Sequence, residues 1–241
     1  MKEKPIIELE NVRKTYRMGE VNVNALCGIN IRINRGEFVA IIGHSGSGKS
    51  TLMNMVGSLD LPTRGRIKLD GTDISGLPES QLAQLRGKKI GFVFQSFNLI
   101  PTLTAIENVM LPLMFKNVSE EERRERSEKM LARVGMQARM NHLPKELSGG
   151  EQQRVAIARA LVVEPEVILA DEPTGNIDYK SGVEIMKLLD RLHKEEERTI
   201  IVVTHERFVA QYAERIIQLQ DGTILKDGKA KGFDFNGVKQ K

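Results

Sequence analysis

A single cysteine, Cys27, leaves this 241-residue chain without an intrachain disulfide and without a cysteine cluster for zinc. Nothing in it asks for an oxidising compartment, and a reducing cytosol is the expectation. Long hydrophobic runs are also missing: stretches such as Phe38 to Ile42 and Ile200 to Val203 fall far short of the roughly 18 residues of a membrane span. The start, Met1 to Glu10, carries charges but no apolar stretch of signal-peptide length, so the chain is expected neither to enter nor to cross a bilayer by itself. Charge of one sign is not in excess. Lys and Arg number 36 against 32 Asp and Glu, a net of +4, and the basic residues are spread among acids rather than gathered into a nucleic-acid-binding block. No internal repeat marks a solenoid or tandem array. What is present is ordinary for a soluble globular protein, with 40% hydrophobic and 28% charged residues. The length suits one sizeable domain, or one domain with an inserted lobe.

The N-terminal stretch reads as antiparallel β-structure. Ile6 to Leu9 is one run; in another, Ile29, Ile31 and Ile33 alternate with Asn30, Arg32 and Asn34, the pattern of a half-buried strand. Phe38 to Ile42 is apolar without alternation, as a parallel strand covered on both faces requires, and it runs through glycines into the helical composition of Ser50 to Val56. Ile90 to Phe94, Val167 to Ala170 and Ile200 to Val203 share that look. Each is followed by polar residues that could line the carboxyl edge of a sheet, where open α/β folds bind ligands. Between the first two of these runs the character is helical: Ser119 and Glu122 have capping-box spacing, and Met130, Leu131 and Val134 fall on one helix face. A helical lobe over about 96–160 is therefore expected inside an α/β core of about 1–95 and 161–228. Ile216 to Leu219, Asp221-Gly222 and Thr223 to Leu225 read as a hairpin, and 229–241 as a loosely held tail.

Chemistry concentrates in a few motifs. Gly43-His44-Ser45-Gly46-Ser47-Gly48-Lys49-Ser50 fits the phosphate loop G-x-x-x-x-G-K-[ST] between a buried strand and a helix. Glycines let backbone N–H groups converge on phosphate, the helix N-terminus adds partial positive charge, Lys49 reaches the β- and γ-phosphate oxygens, and the Ser50 hydroxyl suits Mg²⁺. Val167 to Ala170 ends in Asp171 and Glu172. The first is placed to hold Mg²⁺ and the second to orient or deprotonate water. Alone, such a strand end could merely cap a neighbouring helix; beside a phosphate loop the catalytic reading prevails. In Leu147-Ser148-Gly149-Gly150-Glu151-Gln152, an N-cap serine precedes two glycines that bare the N–H groups of a helix start, a second anion site.

Lying between the other two motifs, those six residues resemble the signature sequence of the ATP-binding-cassette (ABC) ATPases, and the resemblance runs from about Ile6 to Gly228 with the motifs in the family's order. It implies a P-loop NTPase (RecA-like) α/β core with an N-terminal antiparallel β subdomain and an inserted α-helical subdomain. It further implies ATP and Mg²⁺ as ligands. Tyr16 matches the aromatic that stacks on adenine, although an ordinary sheet tyrosine is the alternative. Gly43, Ser45, Gly46, Ser47, Gly48, Lys49, Ser50 and Thr51 match the phosphate loop; Ser50, Gln95 and Asp171 the metal contacts; Glu172, Gln95 and His205 the hydrolytic residues. Ser148, Gly149, Gly150 and Asp178 match groups that act across a dimer. Gly175-Asn176-Ile177 departs from the commonest wording, Ser-Ala-Leu, before Asp178. His44, His142 and His193 match no catalytic position.

The wording Phe92 to Leu99, Leu147 to Val155 and Asp171 to Asn176 looks like the branch that contains the ATPases of lipoprotein-releasing, macrolide-exporting and cell-division transporters. By that resemblance the chain is an ATPase subunit whose homodimer sandwiches two ATP and drives transmembrane permease subunits from the cytoplasmic face of the cell membrane. Gln95 to Thr104, with Phe97, Leu99, Ile100, Pro101 and Leu103, is the expected docking segment, burial under the helical lobe being the alternative. A soluble ABC-type ATPase acting on nucleic acid or ribosomes is a second reading, disfavoured by a single short cassette. A small-molecule kinase would leave Leu147 to Gln152 unexplained.

Overall fold

The computed structural model describes residues 5–235. Strands β1 (Pro5–Met18), β2 (Val21–Asn34), β4 (Arg64–Leu69) and β5 (Thr72–Asp73) form an antiparallel sheet in the order β2-β1-β4-β5. The alternation read from Ile29 onward appears as buried Ile29, Ile31 and Ile33 beside exposed or half-exposed neighbours. A second sheet of six strands contains β3 (Phe38–Ile42), β6 (Ile90–Val93), β7 (Val167–Asp171), β8 (Thr199–Thr204), β9 (Arg215–Gln220) and β10 (Thr223–Lys229), in the order β10-β9-β3-β8-β7-β6. All its neighbours run parallel except the β9/β10 hairpin at one edge.

Both faces of this sheet are covered, which is why its strands carry no polar alternation. Phe38, Ala40 and Ile42 of β3 join one core, together with Ile168, Ala170, Ile200, Val202 and residues of the helices α3 (Ala105–Met114), α4 (Glu120–Arg133), α5 (Gly149–Leu161) and α6 (Tyr179–Glu196). Val39 and Ile41 face the other way. They pack with Ile201, Val203 and Leu169 against the antiparallel sheet and against α1 (Lys49–Val56) and α2 (Glu79–Lys89). The short α7 (Arg207–Ala210) follows β8.

Ser119 caps α4 through Glu122 N–H. The helices of the expected lobe share one core with the sheet. A Cβ on Gly91 of β6 would meet Ala160 O at 2.6 Å, so the C-terminal half of α5 lies directly on the sheet. The tail expected to be loose is held as far as Phe235: Ala230 N–H donates to Glu214 O at 2.8 Å, and Phe233 and Phe235 pack on the core. Residues 236–241 lie outside the described part.

Register places the chemistry. Ile42 stands beside Thr204, and Val203 beside Asp171, so the residues that follow β3, β7 and β8 emerge together at one edge of the sheet.

Candidate active site at the carboxyl edge of the sheet

At that edge lies a cleft of about 670 Å³, lined by Val23, Asn24 and Ala25 from β2, by most of the loop from Gly43 to Thr51, and by Asp171, Glu172, Val203 and His205. The loop closes tightly because of its glycines. Gly46 and Gly48 adopt positive φ (79° and 100°), and a Cβ on Gly48 would stand 2.6 Å from Ala25 O. A Cβ on Gly43 would meet Ser47 Oγ and Leu219 O, each at 2.5 Å. Gly48 caps α1 without any side-chain hydrogen bond, so the first N–H groups of that helix remain available to an anion.

Lys49 folds back over the loop, its Nζ donating to Gly43 O and His44 O at 2.9 Å each. Burial pulls its pKa below the usual lysine value, while Glu172 and Asp171 oppose that shift. Asp171 shows the converse: burial raises its carboxyl above the usual aspartate value, the neighbouring Glu172 adds to this, and Lys49 opposes it. Two carboxylates thus share the cleft with one lysine, a donor set short of positive charge. Among the described residues no group of three or more His, Cys, Asp or Glu could hold a metal. One hydroxyl, Ser50, and one carboxylate, Asp171, fit the habit of Mg²⁺, which takes few protein ligands and shares phosphate oxygens and water. The size of the cleft, the free N–H groups and Lys49 fit a nucleoside triphosphate.

Glu172 has a left-handed backbone, φ 43°, a conformation that costs a non-glycine residue about 1–3 kcal/mol. It is held there from two sides, by its N–H donating to Val203 O at 2.8 Å and by His205 Nδ1 at 2.8 Å from its Oε1.

The remaining sequence-predicted residues do not line this cleft. Tyr16 pairs across the strands with Val23, which does line it; its own hydroxyl donates to Asp60 Oδ2 at 3.0 Å, and Lys14 Nζ lies 5.0 Å from its ring centre. Ser47 is fully buried, with an unpartnered Oγ. Gln95 lies against Gly175 and Asn176: Asn176 Nδ2 donates to Gln95 O at 3.1 Å, and Gln95 Nε2 to Asn176 Oδ1 at 3.4 Å. Ser148 caps α5 in a full capping box with Glu151, so the N–H groups of Gly149 and Gly150 open at a helix start, as read. That start sits beside Ile177 and Ser181 instead of beside the cleft. Asp178 caps α6, accepting from Ser181 N–H at 3.0 Å; the Ser181 hydroxyl and that N–H hold its carboxyl below the usual aspartate value.

Among the histidines without a catalytic match, His193 packs on the Phe38 ring, whereas His44 stands on the cleft rim, 3.6 Å from Asp221. Sequence reasoning also missed supporting residues. Gly222, in the β9/β10 turn, donates from its N–H to Ser47 O at 3.1 Å and so braces the phosphate loop. Asn108 is fully buried and ties together Ile100, Leu103 and Thr104. Its signal was a polar residue on the apolar face of a helix.

Known proteins share much of this sequence and fold. The family model described as ABC transporter matches residues 26–175. An uncharacterised ABC transporter ATP-binding protein of Methanocaldococcus jannaschii is 52% identical over 233 residues, with 95% of this chain and 99% of the relative covered. The macrolide export ATP-binding/permease protein MacB of Syntrophobacter fumaroxidans is 50% identical over 94% of this chain, which spans only 32% of that relative. A solved ATP-binding cassette, dimeric and in a post-hydrolysis state bound to ADP and Pi, is similar with a TM-score of 0.87 at 51% identity, covering 94% of this chain and all of that one.

Proposed function

This chain belongs to the ABC transporter ATPases, and from that premise we propose that two copies close around two ATP molecules and drive a membrane permease, in a transporter of the lipoprotein-release or macrolide-export type. The observation that carries the reading is the division of the anion-binding groups. One phosphate site, with Lys49, Asp171, Glu172 and His205, lines the cleft; the second, at Ser148 to Gly150, stands apart beside the loop that leads to Asp178. In one chain the two serve different phosphates. Two chains placed head to tail would bring each signature helix over the other's cleft.

In such a site the phosphate loop and Lys49 bind and neutralise the phosphates, Ser50 and Asp171 would hold Mg²⁺, and Tyr16, the cross-strand neighbour of Val23, would stack on the base. A magnesium ion held there would withdraw charge from the phosphate oxygens. Glu172 accepts a proton from the attacking water, and His205 fixes the carboxylate that does so. Gln95 reports on the site from its place against Asn176. Among the described residues no helix is long and apolar enough to cross a membrane; the permease is taken to be engaged from the cytoplasmic face, as the family resemblance implies.

For that partner the segment from Gln95 to Thr104 is the proposed dock. It borders a groove of about 360 Å³ between the lobe and the sheet, with Phe92, Phe94, Asn98 and Pro112 on its walls. Leu99 packs on the core, whereas Ile100 is 42% exposed, so Ile100 presents the apolar surface. The dimer is tested by sizing the Glu172→Gln variant. With ATP and Mg²⁺ it should run as a dimer and with ADP as a monomer, and a monomer in saturating ATP would refute the shared site.

A further inference from the structure

Helix α5 carries two polar side chains that no role described so far uses. Gln153, fully buried, donates from Nε2 to Pro173 O at 2.7 Å and to Phe94 O at 3.4 Å. Farther along the helix, Arg159 donates from Nη2 to Phe97 O at 2.8 Å and from Nη1 to Asn98 O. These carbonyls bracket Gln95 and Ser96, so a single helix grips the turn of Gln95 from both ends.

Arg159 is the more telling of the two. It is half-buried, burial lowers its pKa, and among the described residues no carboxylate stands within ion-pair distance. A guanidinium drawn from water without a counter-charge is costly. Its fork is spent on two consecutive residues in left-handed backbone, Phe97 at φ 59° and Asn98 at φ 51°. Asparagine tolerates that region; a bulky phenylalanine does so only when its surroundings enforce it. A rigid planar donor suits two carbonyls turned to the same side. The Phe97 ring in turn reaches the start of α5, where a Cβ on Gly149 would lie 3.7 Å from its Cζ.

We propose that Arg159 is a positioning residue for Gln95: by holding the Phe97–Asn98 reversal it sets where Gln95 stands relative to Glu172, and it converts any movement of the signature helix into a movement of Gln95. A nucleotide seated on Ser148 to Gly150 would thereby be felt at the glutamine of the same chain. The proposal rests on Gln95 acting in hydrolysis, and its test separates the two.

Steady-state ATPase activity would be measured for Gln95→Ala, Arg159→Met, Arg159→Lys and the double variants with Gln95→Ala, with melting curves to verify folding. Arg159→Met should lower kcat by about 10- to 100-fold, the scale of a small misplacement in an active site, with KM for ATP within about two-fold of wild type. Arg159→Lys, which keeps the charge and loses the fork, should fall between. In the Gln95→Ala background either change should cost less than about two-fold more, because residues acting as one unit are not additive. Fully multiplicative losses, or a wild-type kcat in Arg159→Lys, would overturn the proposal. Should Arg159→Met not fold, the lysine variant carries the same comparison. A wild-type kcat in Gln95→Ala alone would remove Gln95 from the reaction, and the proposal with it; a Gln95→Ala defect beside unaffected Arg159 variants would overturn the proposal alone.

Discussion

His205 Nδ1 stands 2.8 Å from Glu172 Oε1, and the two residues follow neighbouring parallel strands whose register sets Asp171 beside Val203. The pair is therefore built by the sheet and does not depend on a mobile loop. Nδ1 is thus directed to the carboxylate while the ring itself lines the cleft.

Replacing Glu172 by glutamine keeps the shape and a hydrogen-bonding oxygen but removes the proton acceptor. Turnover should fall by roughly 10²- to 10⁴-fold, the usual share of general base catalysis, while ATP binding measured by nucleotide titration stays near wild type. A weakened affinity of the same size as the lost turnover would instead assign Glu172 to binding.

Lys49→Ala should lose ATP affinity by about 2–5 kcal/mol, the cost of truncating one partner of a desolvated charge pair. The folded chain should survive, because the groups Lys49 holds in the nucleotide-free state are backbone oxygens of a loop already shaped by Gly46, Gly48 and the brace from Gly222. Unchanged affinity by calorimetry would contradict the phosphate assignment.

Asp171 is held above its ordinary pKa by burial and by Glu172. Between its unfolded and folded values the folded chain keeps a proton that the unfolded chain has released. Its contribution to stability thus declines as pH rises through that window and stays lost above it. Asp171→Asn should accordingly melt higher than wild type at neutral pH without nucleotide. The difference should shrink as the medium is acidified below the folded value, and Mg²⁺-dependent hydrolysis should be lost throughout. A variant less stable than wild type at neutral pH would show that Asp171 is already compensated.

Ile100→Glu is the appropriate probe of docking, because Leu99 belongs to the core packing and a charge there would confound binding with folding. The variant should keep its basal ATPase activity and melting temperature yet lose co-purification with the permease. Retained binding, with hydrolysis still stimulated by the permease, would place the interface elsewhere.

Much of this was legible in the residues. The phosphate loop, the acidic end of Val167 to Ala170 and the capping serine each impose a local geometry through their own backbone preferences, and each appears as read. The β9/β10 turn followed from Asp221-Gly222, whose φ angles are both positive at 47° and 74°. The strand β4 and the helix α2 escaped because their exposed faces hide the period: of β4 only Ile67 and Leu69 are buried, and of α2 only Leu82. The clamp on Gln95 was illegible for a different reason. Arg159 and Phe97 are 62 residues apart, and a side chain that spends its charge on backbone oxygens leaves no partner residue in the sequence to point to it.

The strand order carries a consequence for how the protein is made. The central strand β3 is made well before both of its neighbours, β8 and β9, which follow it by more than 150 residues. On the ribosome the antiparallel sheet can assemble first, since β1 and β2 are joined by a short turn, while Phe38 to Ile42 must wait with unpaired edges until Thr199 onward has emerged. Nucleotide therefore cannot act as an early folding template, because the phosphate loop acquires its brace from Gly222 only after β9 and its turn have been made. A chain interrupted before that point would expose its most apolar strand, a natural mark for chaperones and proteases.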